Sequence, residues 1–410
     1  MQKKGISVCL FALFFLGSTA VAWADFSKPS KNLSNDYWGS ETAADIAVVP
    51  GTDNVFALWT RLDSDLERPT VKFLKSNDGG VTWSSPVSLN CNDFWWWDNP
   101  NYWEIWGAAM AVDDPYIHVV MGFSKTLTSD YDVYYRRSVD LGETWEPWVL
   151  LTNSSAPSAS PDVAAGGGYV HVVYVAAWPG NPEIMYKRIA ANGSGPVDQT
   201  RRLTFSTGNS SNPALAISKD GSVVNIVYRD DTSGTAQILY KRLPNSGSGV
   251  METQFVTFGS HEKLGPGIVT SSGADDQYVF IVYSERADPA QYRDEVMFKR
   301  LDQFGAPGAQ ALTARLTSTQ TSAYSCSIAF DGTTNAVYVA YIAQPTGYAD
   351  VLYKELADYG GGSFTTGRIS YGEGSSYGAR MAAADGWAYV IWDDDVLTDG
   401  IPEIYFKRGN

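Results

Sequence analysis

Ile184-Met185-Tyr186-Lys187-Arg188 decides the fold, because the chain keeps writing it. It returns as Ile238-Leu239-Tyr240-Lys241-Arg242, Val296-Met297-Phe298-Lys299-Arg300 and Val351-Leu352-Tyr353-Lys354-Glu355, and the chain closes on Ile404-Tyr405-Phe406-Lys407-Arg408. Two looser copies come earlier, Val71-Lys72-Phe73-Leu74-Lys75 and Val133-Tyr134-Tyr135-Arg136-Arg137. The central aromatics fall at 73, 135, 186, 240, 298, 353 and 406. Their spacing of about 50–60 residues is the scale of a propeller blade or a solenoid unit.

Working outward, each repeat holds four short strand signals. The first is small and apolar, as in Ile46-Ala47-Val48-Val49, Ala108-Ala109-Met110-Ala111 and Met381-Ala382-Ala383, and suits a crowded innermost strand. The second is rich in β-branched and aromatic residues, as in 55–59, 170–174 and 337–341. The repeated motif is the third. Outer strands are expected at 86–89, 148–152, 202–205, 255–258, 315–317 and 368–370, which is six for seven repeats. Lys31-Asn32-Leu33-Ser34 resembles the missing one. The prediction is an all-β, seven-bladed β-propeller of four-stranded blades, with the last blade closed by the N-terminal strand. An open solenoid of seven units is the alternative. Gly, Asp, Asn and Pro clusters between strands mark the turns, and no segment keeps a helical period.

Residues 1–24 have the form of a signal peptide: Lys3 and Lys4, an apolar run from 6 to 16, and Ala22-Trp23-Ala24 before Asp25. Cleavage near Ala24 would leave 25–410 as one propeller domain, secreted or periplasmic. No later stretch approaches the roughly 20 apolar residues of a membrane helix. The formal charge of −15 becomes −17 without Lys3 and Lys4. Such acidity repels phosphate backbones and argues against nucleic acid, and it otherwise serves solubility. Cys91 and Cys326 lie in different repeats and are expected to be free thiols.

Ser76-Asn77-Asp78-Gly79-Gly80-Val81-Thr82-Trp83 and Ser138-Val139-Asp140-Leu141-Gly142-Glu143-Thr144-Trp145 both follow third strands and fit S-x-D-x-G-x-T-W. This turn resembles the Asp-box, or BNR repeat, of the sialidase superfamily. The resemblance implies a structural turn on the face opposite the active site. It also implies a glycan-related role, though with departures. Family sialidases have six blades and hold the substrate carboxylate with three arginines, the first in a Phe/Tyr-Arg-Ile-Pro motif. Here the corresponding stretch is Ala43-Ala44-Asp45-Ile46-Ala47, without arginine. The family's acid/base aspartate follows the second strand of the first blade, where Asp63 and Asp65 stand near Arg61. A non-sialidase member is therefore expected.

In a propeller the second-to-third and outer-to-inner connections share one face around the channel mouth. Aligning the two residues after each second strand gives Thr60-Arg61, Gly122-Phe123, Val175-Ala176, Arg229-Asp230, Ser284-Glu285, Ile342-Ala343 and Asp393-Asp394. Polar pairs fall in blades 1, 4, 5 and 7; exposed loop charge is the plain explanation. The stretch from Phe94 to Trp106 carries Trp95, Trp96, Trp97, Trp103 and Trp106 with Asp98, Asn99, Asn101 and Glu104 among them. Flat apolar rings beside hydrogen-bonding groups suit a sugar's C–H face and hydroxyls, whereas local packing or a protein contact would use the same rings. Trp178 sits in the corresponding region of blade 3. The ligand-binding candidates are these six tryptophans with Arg61, Arg229 and Arg286.

A glycosidase needs two carboxyls about 5–9.5 Å apart. The candidates are Asp63, Asp230, Asp231, Glu285, Asp393 and Asp394, with no pair assignable. No cofactor is expected; Asp393-Asp394-Asp395 with Asp399 is a Ca²⁺ candidate, but its spacing fits no EF-hand loop and a solvated acidic loop is simpler. His118 and His171 occupy matching strand positions and are expected to pack; with His261 they make no metal-ligand pattern. The leading expectation is a monomeric glycan-binding propeller acting through the channel-mouth face. The alternatives are a glycoside hydrolase of exo-sialidase type using a carboxylate pair there, and an extracellular protein-interaction scaffold.

Overall fold

The structure is a computed structural model. It describes residues 25–35, 39–63, 68–89, 104–124, 131–153, 156–178, 180–195, 197–249, 252–271, 278–288, 290, 293–302, 311–318, 321–345, 347–371, 374–395 and 401–410. The expected signal segment lies outside them.

Seven four-stranded antiparallel sheets form a seven-bladed β-propeller. Blade 3 is typical: Ser158–Gly166 is innermost, then Tyr169–Trp178, Asn181–Ala190 and the outer Arg201–Arg202. Each inner strand contacts its neighbours on both sides, including that of blade 7 (Ser376–Ala384) against that of blade 1 (Gly39–Val48), so the ring closes. The seventh blade takes Lys31–Asn32 as its outer strand, paired to Glu403–Gly409 with Asn32 opposite Tyr405. The expected mixed-origin closure is observed.

The core is divided into seven clusters, one between each pair of adjacent blades. All seven repeat aromatics are buried in them: Phe73, Tyr135, Tyr186, Tyr240, Phe298, Tyr353 and Phe406. This explains why the motif is repeated. A four-stranded sheet has two faces to cover, and in a propeller both are covered by neighbours, so each blade must supply its own wedge. One such ring contributes about 1.5–3 kcal/mol by burial.

The two S-x-D-x-G-x-T-W turns seal these interfaces. Asp78 accepts the Thr82 amide at 2.8 Å and its hydroxyl at 2.6 Å, while Ser76 Oγ accepts the Gly80 amide at 2.8 Å. Asp140, Thr144, Ser138 and Gly142 repeat these bonds with the same distances. Trp83 meets Phe406 of blade 7 edge-on, and Trp145 meets Phe73 of blade 1 likewise. Gly80 and Gly142 have positive φ, and a Cβ on either would overlap that same preceding-blade ring.

A second device joins third and outer strands. In blade 3, Thr204 Oγ accepts the Ile184 amide at 2.9 Å and donates to Glu183, which also holds Arg202 at 2.7 Å. The same backbone bond is made by Thr152, Thr257, Thr317 and Ser370 in blades 2, 4, 5 and 6. In blade 7 Ser34 accepts the Ile404 amide at 3.0 Å, so the N-terminal strand reproduces the clip as well as the pairing. Outer strands differ most from expectation: those of blades 4, 5 and 6 are Glu252–Phe255, Leu312–Arg315 and Phe364–Arg368, each starting earlier. Their segments, Glu-Thr-Gln-Phe, Leu-Thr-Ala-Arg and Phe-Thr-Thr-Gly-Arg, mix threonine with single apolar residues and give no sustained strand signal.

Candidate functional site

Chain direction puts the second-to-third and outer-to-inner connections at one end of the ring, with both Ser-Asp-Thr turns at the other. The seven aligned pairs at the mouth keep one register. Arg61, Phe123, Ala176, Asp230, Glu285, Ala343 and Asp394 face Thr70, Asp132, Glu183, Gln237, Glu295, Asp350 and Glu403 on their third strands. They lie within the second strands, which run on as far as Asp63 in blade 1 and Asp288 in blade 5, rather than in loops beyond them.

This placement gives most of the candidate carboxylates local partners. Asp230 is buried and accepts Ser210 Oγ at 2.8 Å and the Thr232 amide at 3.0 Å. Asp231 takes the Asn209 amide at 2.6 Å and its side-chain amide at 3.1 Å, closing the connection into blade 4. Asp394, buried beside Asp393, accepts Ser376 Oγ at 2.6 Å and Trp392 Nε1 at 3.0 Å. Glu285 lies 3.1 Å from His261 and 3.5 Å from Lys263. Arg286 reaches Asp294 at 3.1 Å and Glu262 at 3.5 Å, and Arg229 stands opposite Ser211. Among the described residues no three His, Cys, Asp or Glu side chains are placed to share a metal ion. Asp399 lies outside those residues, as do Asp65, Trp95, Trp96, Trp97 and Trp103. Asp63 and Trp178 end their strands, and their side chains are not among those described.

Trp106 is described. It sits near the start of the blade 2 inner strand (Glu104–Asp113), 61 % exposed, with its ring 5.2 Å from Tyr131. His118 and His171 pack as expected, bonded to Tyr135 and Tyr186 hydroxyls at 2.8 and 2.7 Å. Burial lowers their pKa values to about 3 and about 4, so both are neutral.

The inner strands hold what the sequence analysis passed over. Each carries a register break near its start, at Ala43/Asp45 in blade 1 and Ala159/Asp162 in blade 3. The first residues paired after the breaks are Asp45, Ala108, Asp162, Ala214, Gly267, Ser327 and Arg380, one per blade. Asp45 accepts the Ile46 amide at 2.9 Å and the Met110 amide of blade 2 at 2.8 Å. Asp162 does the same with Val163 and with Leu215 of blade 4, both at 2.9 Å. Burial raises Asp45 to about 6 and Asp162 to about 7; the backbone bonds and Arg380 oppose it at both, and the Asp45 charge adds to it at Asp162. The sequence signal was Asp followed by a β-branched residue and Ala, in Asp45-Ile46-Ala47 and Asp162-Val163-Ala164. Below this belt the channel wall is apolar, formed by residues such as Ala47, Ala164, Ala216, Val269, Ala329 and Ala382 around about 430 Å³. Burial pushes the Cys326 thiol up to about 12, and it is free, as expected; Cys91 lies outside the described residues.

No family model matches the sequence, and no curated protein matches it. Solved structures share its fold. The polysaccharide lyase Uly1 aligns with a TM-score of 0.58 at 11% identity, covering 90% of each chain. A Hadza microbial sialidase, Hz136, aligns at 0.54 and 10% identity over 92% of this chain and 68% of that one. A Trypanosoma rangeli sialidase mutant displaying trans-sialidase activity aligns at 0.53 and 10% identity, over 93% of this chain and 58% of that one. At 10–11% identity the likeness is one of fold. No helix of the described residues is long and apolar enough to cross a membrane.

Proposed function

We propose that this propeller binds a glycan at the channel-mouth face. One observation carries the reading. Eight aromatic side chains are strongly exposed among the described residues, and six of them, Trp106, Phe205, Phe258, Tyr348, Tyr371 and Tyr377, sit at the mouth end. The other two, Phe255 and Phe364, lie on outer strands. Scattered exposed rings need no explanation, but their gathering at one end does. Tyr377 stands opposite Asp393 in the blade 7 sheet, and ring and polar group together offer both surfaces that a sugar requires. Proteins of this fold named as a sialidase and a polysaccharide lyase accord with a carbohydrate ligand, although fold alone does not carry an activity. We extend the proposal to the four tryptophans of 95–103, to Trp178 and Arg61, and to secretion, on the signal-peptide form of residues 1–24.

A glycosidase is the second reading, favoured by the innermost-strand carboxyls of Asp45 and Asp162, whose protons come off near neutrality. The test is a broad glycan array probed with residues 25–410, followed by mass spectrometry of the spots. Retention on intact glycans supports binding, and Trp106→Ala and Tyr377→Ala then weaken it about three- to tenfold each. Shortened glycans, with turnover lost in Asp162→Asn or Asp230→Asn, move the conclusion to hydrolysis. Absence of both sinks the carbohydrate reading.

A further inference from the structure

A second concavity, of about 560 Å³, opens at the outer edge of blades 6 and 7, where the N-terminal segment crosses them. That volume is within the range of small-ligand sites. Its floor is Tyr353, whose ring packs 4.8 Å from Phe26 and lies across Gly367; a Cβ there would overlap the ring. Its side is Tyr371, 69 % exposed, with the Arg368 guanidinium 5.0 Å and the Lys407 ammonium 5.3 Å from the ring centre. Lys407 is only 6 % exposed and donates to the Ile369 carbonyl at 2.9 Å. An ammonium has three donors, so this bond leaves capacity for a ligand.

Charge points the same way. The lining carries Lys28, Arg368 and Lys407 against Asp25, and Asp350 holds Arg368 from behind at 2.7 Å. Asp25 is turned to its own segment, accepting the Ser27 amide and hydroxyl at 2.9 Å each. One net positive charge remains, on a chain of formal charge −15. Blade 3 repeats the arginine and the ring, Arg202 lying 4.6 Å from Phe205, so the N-terminal segment is what sets this cleft apart, and blades 4 and 5 lack the arginine. There Lys299 makes the same bond to the Val256 carbonyl at 2.5 Å and Phe258 takes the place of Tyr371, but Phe255 stands where Arg368 does.

We infer that this cleft binds an acidic saccharide, a sugar ring carrying a carboxylate or a sulfate ester. The Tyr371 face receives the ring, and Lys407 and Arg368 receive the anion. The cleft lies at the outer edge of the ring and shares only Tyr371 with the rings counted at the mouth end, and its reading does not depend on the one given to the channel mouth.

The test titrates residues 25–410 with glucuronic acid, galactose 6-sulfate, glucose and inorganic sulfate, observed by ligand NMR and calorimetry. Both acidic sugars are expected to saturate, more weakly as salt rises, and glucose to bind at least about tenfold less tightly. Tyr371→Ala should weaken the acidic sugars about tenfold while leaving inorganic sulfate unchanged, and Lys407→Met should remove both. Circular dichroism establishes whether Lys407→Met folds; if it does not, Tyr371→Ala decides, since that side chain is exposed. Trp106→Ala should not alter these titrations, which separates this cleft from the channel mouth. No saturation, glucose binding as well as the acids, or sugar binding indifferent to Tyr371→Ala would each overturn the proposal.

Discussion

Asp45 and Asp162 show how a residue's chemistry follows from what surrounds it. Each is one aspartate among many in the sequence, yet both are held in the channel wall with a neighbouring blade's amide on one oxygen. Their pKa values, about 6 and about 7, are raised above the unfolded value, so the folded state binds protons more tightly. Stability from these groups is present at low pH and lost as pH rises through the folded values. The melting temperature is therefore expected to be higher at pH 5 than at pH 8. In an Asp45→Asn, Asp162→Asn variant this dependence should flatten, as differential scanning calorimetry would show. An unchanged slope would place the titration elsewhere. Asp78 works oppositely: its Thr82 bonds lower it to about 2, and its contribution is lost only as pH falls through that value. Asp45 on a strand and Asp78 in a turn look alike in composition; only their partners separate them.

At the scale of the element, one hydroxyl clips the outer strand to the third in each of blades 2 to 7. Removing it in Thr204→Val leaves the Ile184 amide and a buried Glu183 oxygen each short of a partner. The expected cost is about 1–3 kcal/mol, read from the midpoint of urea unfolding. The blade 4 counterpart, Thr257→Val, faces the neutral Gln237 through a 2.9 Å bond and should cost less. Equal losses would mean that the acceptor's charge does not matter. The clip was half legible: Arg202-Leu203-Thr204, Arg315-Leu316-Thr317 and Asn32-Leu33-Ser34 share a spacing, but the acid that each hydroxyl meets lies some 20 residues upstream in blades 3 and 5. In blade 7 the acid, Glu403, lies at the other end of the chain and is met by the Asn32 side-chain amide instead of the hydroxyl.

For the whole molecule, closure organises the fold: seven wedges, seven interfaces and only short outer edges. Deleting residues 25–35 would leave the third strand of blade 7 unpaired, uncover Tyr353 and remove Leu33 from the core between blades 7 and 1. The truncated chain should melt at lower temperature and self-associate through the exposed edge, which calorimetry and size-exclusion chromatography would detect. A truncated monomer of unchanged stability would show that the ring is held by its inner strands alone.

The sequence by itself determined the blade count, the strand order, the buried aromatic of every blade, the two Asp-centred turns and the source of the last strand. These depend on local pattern repeated at a fixed period, and a repeat averages out the ambiguity of any single copy. It also put the mouth pairs in correct register. Which of their charges are held by neighbours was decided only by the tertiary structure, as Asp230 on Ser210 and Asp394 on Ser376 show. So were the carboxylates of the channel and the cleft at the joined ends. Those features are made by residues far apart in the chain and in different blades, and distance across a ring has no period for a sequence to display.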